Sequence, residues 1–324
     1  MAYNKENFRR IREEYQTKYL RALHEAERRT AELHSISPAL AEIDGELVAT
    51  GAALARAAIG TREGYQKKLA EVREKNEALM EKRRALLLSL GYPTDYTEPP
   101  YECPTCKDSG YVNAKMCSCM QQALRLAAYE SSGLSHLMRT QSFDSFDLKY
   151  YRDDPRALAQ MTQNLSILRR YAEEFDIHAD SLILCGGTGL GKTHLSTSVA
   201  RGVIDRGYDV CYVTAIQLFS DFEAMRFGQG LSESGTDPAR YTDCDLLILD
   251  DLGTEVTNQF TNSCLYLVVN NRINRNLPTI INTNLSHKEM QARYTDRVAS
   301  RIFGEYKPLF FVGTDIRRQR LNEK

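Results

Sequence analysis

Apolar positions along this chain change their spacing twice, and each spacing predicts a different kind of structure. From residue 1 to about 92 they recur every three or four residues, as in Leu69, Val72, Leu79, Leu86 and Leu90, with charges of both signs between them. That spacing gathers them on one face of a helix. Pro38 and the turn Gly60-Thr-Arg-Glu-Gly64 divide the region into three helices, near 5–33, 38–59 and 65–90. Two roles stay open for it: a self-contained helical hairpin with a solvated charged face, or a coiled-coil-like arm that binds a partner. From about 150 onward, short apolar runs alternate with helical stretches, the mark of a parallel sheet with helices on both faces. The runs lie at 181–185, 209–214, 246–250, 279–282 and 309–312, and a helix over 155–174, with Pro155 in its first turn, leads into the first of them.

Between these regions the spacing breaks down. Residues 92–100, Tyr-Pro-Thr-Asp-Tyr-Thr-Glu-Pro-Pro, form a linker, because paired prolines and turn formers end helices. A short Cys-rich stretch follows, then a helix near 119–131 and the aromatic segment from Phe143 to Tyr151, which either packs beneath the sheet or flanks a base. The boundaries expected are a helical arm over 1–98, a small module with its connecting helix over 99–140, and an α/β domain over 141–324.

Composition narrows the function. The 324 residues carry a formal charge of −1, so no global positive field draws the chain to nucleic acid. No apolar run approaches the ~20 residues that span a bilayer. The start, Met1-Ala-Tyr-Asn-Lys-Glu, lacks the apolar core of a signal peptide, which predicts a cytoplasmic protein with no membrane partner. In a reducing compartment, clustered cysteines point to metal and scattered ones to packing. Cys185, Cys211, Cys244 and Cys264 are scattered in apolar segments and are expected in the core. Cys103-Pro-Thr-Cys106 and Cys117-Ser-Cys119 are clustered, and four thiolates close a tetrahedral Zn²⁺ shell. An iron–sulfur cluster, a redox pair or four unconnected thiols are the alternatives. With no histidine and no open position, such a zinc site is structural.

The clearest chemistry follows the first strand. Gly186-Gly187-Thr188-Gly189-Leu190-Gly191-Lys192-Thr193-His194 fits a P-loop. Glycines let backbone N–H groups curl around phosphate, and the helix start favours its negative charge. Lys192 reaches the β- and γ-phosphates of a nucleoside triphosphate, and Thr193 ligates Mg²⁺. The run Leu246-Leu-Ile-Leu-Asp250-Asp251 ends in two carboxylates at the end of a parallel strand, where ligands bind. Asp250 is expected to hold Mg²⁺ and Asp251 to orient or deprotonate water, with Glu255 as a fallback base. The strand at 279–282 ends in Asn282-Thr-Asn284. If it lies between the other two, Asn284 meets the γ-phosphate or the water; otherwise either Asn caps the helix starting at Ser286. Arg293, Arg297 and Arg301 stand at i, i+4 and i+8, so one helix would align them as a salt-bridged surface or as an arginine finger for a neighbouring subunit.

Taken together, the P-loop, Asp-Leu-Leu-Ile-Leu-Asp-Asp-Leu-Gly, Thr-Asn-Leu, Asp296-Arg-Val-Ala-Ser-Arg-Ile-Phe-Gly304 and Gly313-Thr-Asp-Ile-Arg317 resemble the AAA+ helicase-loader ATPases of bacterial replication, the DnaC/DnaI type. The IstB-type transposition helpers are close relatives. The resemblance covers about residues 150–320, and the Cys-bearing half is similar in plan to loaders with a zinc-containing helicase-binding domain. It implies a P-loop AAA+ domain with a five-stranded parallel sheet in a homo-oligomer. The short stretch after the last strand departs from general AAA+ architecture and is expected to leave no room for a lid domain, so that a neighbour completes the pocket. The resemblance further implies ATP hydrolysis, with Asp250 and Asp251 as Walker B, Asn284 as sensor I, Arg301 or Arg297 as the finger and Arg317 in a sensor II-like role. Its implied partners are a replicative ring helicase and single-stranded DNA, the latter through residues 216–241, where Arg226 and Arg240 stand among scattered aromatics. A transposition helper and a nucleotide-gated adaptor with little hydrolysis are the competing readings.

Overall fold

The computed structural model describes residues 4–57, 62–134, 140–227 and 238–322. Two compact units divide the chain: Met1–Ile11 with Gln121–Lys324, and Arg12–Met120.

The smaller unit holds most of α1 (Lys5–Ile36), then α2 (Pro38–Ala57) and α3 (Arg62–Ser89). Pro38 opens α2, where its missing N–H leaves no helical bond unmade. Of the turn expected over residues 60–64, residues 60 and 61 lie outside the described residues and 62–64 open α3, three residues before its expected start. Leu33, Leu40 and Leu87 meet in a small core flanked by Tyr92 and Tyr96. Along α3, Val72, Leu79 and Leu87 are buried, while Leu86 and Leu90 are half-buried. A straight helix turns every 3.6 residues, so its buried stripe drifts from a seven-residue repeat to an eight-residue step.

After the linker the chain makes a tight hairpin, β1 (Tyr111–Val112) antiparallel to β2 (Lys115–Met116). Asn113 and Ala114 turn it with φ of 48° and 62°, the left-handed pair that a two-residue hairpin needs. Gly110, at φ +76°, lets the backbone fold under Met120, whose Sδ would stand 2.5 Å from any Cβ there. α4 (Ser118–Ser131) begins at the second cysteine pair and runs on past Met120.

In the larger unit, α5 (Pro155–Glu174) is capped by the Asp154 side chain, which accepts from the Arg156 N–H. There follow β3 (Leu182–Cys185), α6 (Lys192–Asp205), β4 (Val210–Thr214), α7 (Ala215–Arg226), α8 (Ala239–Asp243), β5 (Leu246–Leu252), α9 (Gln259–Asn274), β6 (Thr279–Thr283), α10 (His287–Arg293), α11 (Asp296–Glu305), β7 (Lys307–Phe310) and α12 (Ile316–Asn322). The five strands from β3 to β7 form one parallel sheet in the order β4-β5-β6-β3-β7. Alternation along the strands feeds two cores. Leu182, Leu184, Ile248 and Ile280 pack with Leu195, Val199 and Val203 of α6. On the opposite face Ile183, Leu247, Leu249 and Ile281 pack with Leu218 of α7, Leu265 of α9 and Ile302 of α11. Cys185, Cys211, Cys244 and Cys264 are buried in that second core. The last strand runs two residues earlier than the 309–312 expected. It pairs Leu182 with Lys307 and Cys185 with Phe310, and Pro308 is tolerated because the strand is at an edge.

One buried side chain was not foreseen. Arg272 of α9 is 0% exposed. Its guanidinium donates to the carbonyls of Tyr241, Cys244 and Pro278 at 3.1, 2.9 and 2.7 Å and to Thr279 Oγ1 at 2.9 Å. The planar fork thus joins α8, α9 and the starts of β5 and β6, at the end of the sheet opposite the carboxylates. Arg272→Ala orphans several buried acceptors at once. It is expected to lower the free energy of unfolding by at least about 3 kcal/mol, measured by urea denaturation; a loss below about 1 kcal/mol would show that water replaces the guanidinium.

Candidate functional site

At the carboxyl ends of β3, β5 and β6 lies a cleft of about 450 Å³, lined by residues 188–194 of the P-loop with Asp251, Asn284, Phe146, Tyr150, Ile316, Arg317 and Arg320. The loop holds its shape through neighbours on its outer side. Gly191, at φ +85°, is the N-cap of α6. A Cβ there would sit 2.7 Å from Phe146 Cε2 and 3.2 Å from the Tyr151 hydroxyl. That hydroxyl donates to the Leu190 carbonyl at 2.9 Å. His194 is held by the Ser142 carbonyl at 2.8 Å and lies edge-on to Phe146, and burial lowers its pKa. Of the two roles open to the aromatic segment, packing is the one seen: Phe146 and Tyr151 belong to the core on one face of the sheet, and Phe146 and Tyr150 also line the cleft.

Lys192 is 6% exposed. Its three ammonium protons go to the Gly186 and Gly187 carbonyls at 2.6 and 2.7 Å and to Asn284 Oδ1 at 2.6 Å. Burial lowers its pKa, and the charges of Asp251 and Asp250 act in the opposite sense. Asp250 is 3% exposed and receives four donors. Oδ1 takes Asn282 Nδ2 at 2.7 Å and the Asp251 N–H at 3.0 Å; Oδ2 takes Thr193 Oγ1 at 3.0 Å and the Tyr212 phenol. Burial beside this carboxylate raises the Tyr212 pKa far above its ordinary value, so the phenol stays a donor.

Consecutive residues of a regular strand point to opposite faces, yet Asp250 and Asp251 serve one cleft. The register explains it. Leu249 pairs with Ile281 and Leu252 with Thr283, so β5 carries one residue more than β6 across this step. Asp251 takes up the extra residue at φ +53°, a left-handed conformation that is uncommon outside Gly and that Asp and Asn adopt more readily than other side chains. The bulge aims Asp251 into the cleft, where burial and then Asp250 raise its pKa.

β6 lies between β3 and β5, the arrangement that brings Asn284 into the cleft. Capping is left to Ser286, which accepts from the Glu289 N–H at 3.3 Å and donates its own N–H to Glu289 at 2.7 Å. Glu255 points elsewhere: it is 6% exposed and bound by the Gly253 N–H and the Tyr294 hydroxyl. The single helical row of Arg293, Arg297 and Arg301 does not form. α10 ends at Arg293 and α11 starts at Asp296 with Thr295 as its N-cap. Arg293 turns back to Thr257 Oγ1 and the Glu255 carbonyl. Arg297 and Arg301 share α11, and among the described residues neither lines the cleft. Arg240 ion-pairs with Asp209 at 3.1 Å and is largely buried, so it is no surface cation. Arg226 lies over Phe227 and Phe260, and residues 228–237 lie outside the described residues. Tyr212 and Arg320 belong to no motif and were not foreseen.

In the smaller unit the sulfurs of Cys103, Cys106, Cys117 and Cys119 all lie within 4.8 Å of one another. Cys103 to Cys117 is 4.0 Å and Cys106 to Cys119 is 3.5 Å. These are too long for disulfides, and the four are free thiols. Four sulfurs about 2.3 Å from one ion stand about 3.8 Å apart, so the donor set fits a tetrahedral metal. The Asp108 carboxylate shapes the knuckle by accepting the N–H groups of Glu102 and Cys103, each at 2.8 Å.

The profile of a family described as IstB-like ATP binding protein matches residues 122–303. The chain is 27% identical over 171 residues to the replicative helicase loader DnaC of Buchnera aphidicola subsp. Acyrthosiphon pisum (strain APS), a match covering 53% of this chain and 66% of that protein. It is 25% identical over 197 residues to the replicative helicase loader DnaC of Escherichia coli (strain K12), covering 60% and 77%. The match thus spans just under two thirds of the Buchnera protein. A crystal structure of the DnaC helicase loader aligns with a TM-score of 0.46 at 20% identity, covering 55% of this chain and 99% of that one, a likeness too loose to bear on chemistry.

The packing around the loop separates two of its glycines. Gly191→Ala meets both Phe146 and a left-handed backbone and is expected to lower stability by about 1–2 kcal/mol. Gly187→Ala meets only Leu190 Cδ1, at 3.8 Å, and should melt like the wild type. Thermal unfolding of the two variants side by side checks the contrast.

Proposed function

The chain belongs to the IstB-like ATP binding protein family, and from that membership we propose that it is an Mg²⁺-dependent ATPase that loads a ring helicase in DNA replication. One observation carries the catalytic part: the Thr193 hydroxyl donates to the buried Asp250 carboxylate in the cleft that Lys192 and Asp251 also line. With its hydrogen directed to Asp250, the Thr193 oxygen keeps its lone pairs for a cation. Mg²⁺ bound there would offset charge on the phosphates. The P-loop N–H groups and Lys192 hold the triphosphate from the other side. Asp251, made more basic by burial and by Asp250, takes the proton of the attacking water. Asn284, tied to Lys192, orients that water or the γ-phosphate, and Arg317 meets the phosphates from α12.

The remaining roles extend this reading. Arg301 or Arg297 is the arginine finger, and because neither lines this chain's own cleft, the reading requires a homo-oligomer in which α11 serves a neighbour. The relatives named replicative helicase loaders support a ring helicase as partner, docked by the helical arm and the cysteine module, with single-stranded DNA as the track. The resemblance to IstB-type transposition helpers leaves a transposition helper as the second reading. A pull-down with the full chain separates the two, since recovery of a transposase instead of a helicase would overturn the loader assignment. Cys103, Cys106, Cys117 and Cys119 hold a structural Zn²⁺, with no open position for catalysis. The place of action proposed is the cytoplasm; among the described residues, no helix is long and apolar enough to cross a membrane.

Lys192→Ala is expected to lose nucleotide binding. Asp251→Asn should keep it and lose at least about 100-fold in turnover. A base works only when ionised, so wild-type turnover should fall on acidification through a pKa above the ~3.9 of a free aspartate, and Asp251→Asn should show no such acid limb. Unchanged turnover in Asp251→Asn would leave an ATP-binding adaptor. For the metal, elemental analysis should find one zinc per chain, and chelation should melt the Arg12–Met120 unit. A metal-free preparation that stays folded would dismiss the site, and iron in its place would make it an iron–sulfur centre.

A further inference from the structure

Asn282 is out of character for its position. It is the fourth residue of β6, a strand buried along its whole length with a neighbour on each side. Such strands are near-continuous apolar runs, and Ile280 and Ile281 lead up to it accordingly. Asn282 is 0% exposed. Its Nδ2 donates to Asp250 Oδ1 at 2.7 Å and to Ser196 Oγ of α6 at 2.8 Å. Its Oδ1, equally buried, has no hydrogen-bond partner among the described residues. The orphaned oxygen costs stability. What the side chain supplies in return is a bond to the buried Asp250 carboxylate, and with it a direction.

The geometry shows why that direction matters. β6 separates the P-loop strand β3 from β5. Asn282 sits opposite Leu184 on β3, one step past the Ile281–Leu249 pair with β5. It is therefore the side chain that reaches from α6 across to Asp250. The donors on Asp250 Oδ2, Thr193 and Tyr212, are hydroxyls whose hydrogens rotate. The nearer donors on Oδ1 are Asn282 Nδ2 and the Asp251 N–H, at 2.7 and 3.0 Å, both planar amides that fix a direction, while the Thr193 hydroxyl reaches Oδ1 only at 3.3 Å. The Asp251 N–H belongs to the bulge and moves with it. Asn282 is the donor anchored to a different strand.

We propose that Asn282 is a positioning residue: from β6 it fixes the plane of the Asp250 carboxylate, so that Oδ2 and the Thr193 hydroxyl together face the magnesium. The inference rests on the nucleotide reading of the cleft and adds to it a residue that touches neither nucleotide nor metal. Residues behind a metal ligand typically set metal affinity by 10–100-fold, and this is the effect to look for.

The test titrates Mg²⁺ against binding of a fluorescent ATP analogue by the full chain, with a parallel affinity measurement in chelator and a thermal melt. Asn282→Leu, apolar and nearly isosteric, should raise the Mg²⁺ midpoint by about 10–100-fold while leaving the metal-free affinity within about twofold of wild type. Its melt checks that the variant is folded, because the substitution removes the orphaned oxygen but also one of the four donors to the buried Asp250. Asn282→Val, β-branched and suited to a buried strand, is the second variant should Leu overpack, and the same shift is expected. Wild-type Mg²⁺ midpoints in the folded variants would overturn the proposal. So would an equal loss of affinity with and without metal, which is the signature of a packing role. A wild-type protein that binds no nucleotide, or binds it without regard to Mg²⁺, would instead sink the reading of the cleft itself.

Discussion

A carboxylate almost sealed from water is the constraint around which the larger unit is arranged. Asp250 is 3% exposed, and an ionised group at that depth is tolerable only if every lone pair is met. The donors arrive from four places: Thr193 at the head of α6, Tyr212 on β4, Asn282 on β6, and the backbone of Asp251 on β5 itself. Four elements are thus tied to one side chain. The strand order makes this possible, because β6 lies between β5 and the P-loop strand, with β4 on the other flank of β5.

The same end of the sheet carries the conformational cost. Asp251 adopts a left-handed backbone at a bulge, and Gly191 turns under two aromatic rings. Neither feature stabilises the fold. Each aims a group at the cleft: the Asp251 carboxylate in one case, the N–H groups opening α6 in the other. At the opposite end, Arg272 stitches four segments together through carbonyls and a threonine. A firmly bonded base and a strained mouth suit a site that must hold its groups in place yet admit a charged ligand.

The smaller unit solves a different problem. Its hairpin strands are two residues each, too short to stand by themselves. Glu102 and Cys103 hang on the Asp108 carboxylate, and the four sulfurs are gathered to within 4.8 Å. A metal in that cage would supply the folding energy that so small a core lacks. The helices beside it meet through a few leucines and tyrosines.

Local sequence determined much of this. The P-loop, the two carboxylates after an apolar run, the doubled cysteine pairs and the alternation of strands and helices are signals carried by neighbouring residues. Backbone geometry at short range is enough to interpret them. Side-chain partners at long range were not legible. Nothing local distinguishes Tyr212 from any other strand tyrosine, or reveals that Arg272 is buried. The even spacing of Arg293, Arg297 and Arg301 suggested one helix, but Thr295 caps a new one and Glu255 and Thr257 draw Arg293 away. By sequence Asn284 was the candidate for the cleft, and Asn282 had no role beyond a possible helix cap. Strand order and the capping of α10 by Ser286 sent one to Lys192 and the other to Asp250. Which strands lie side by side is settled by how the whole sheet buries its two faces, and no window of sequence contains that information.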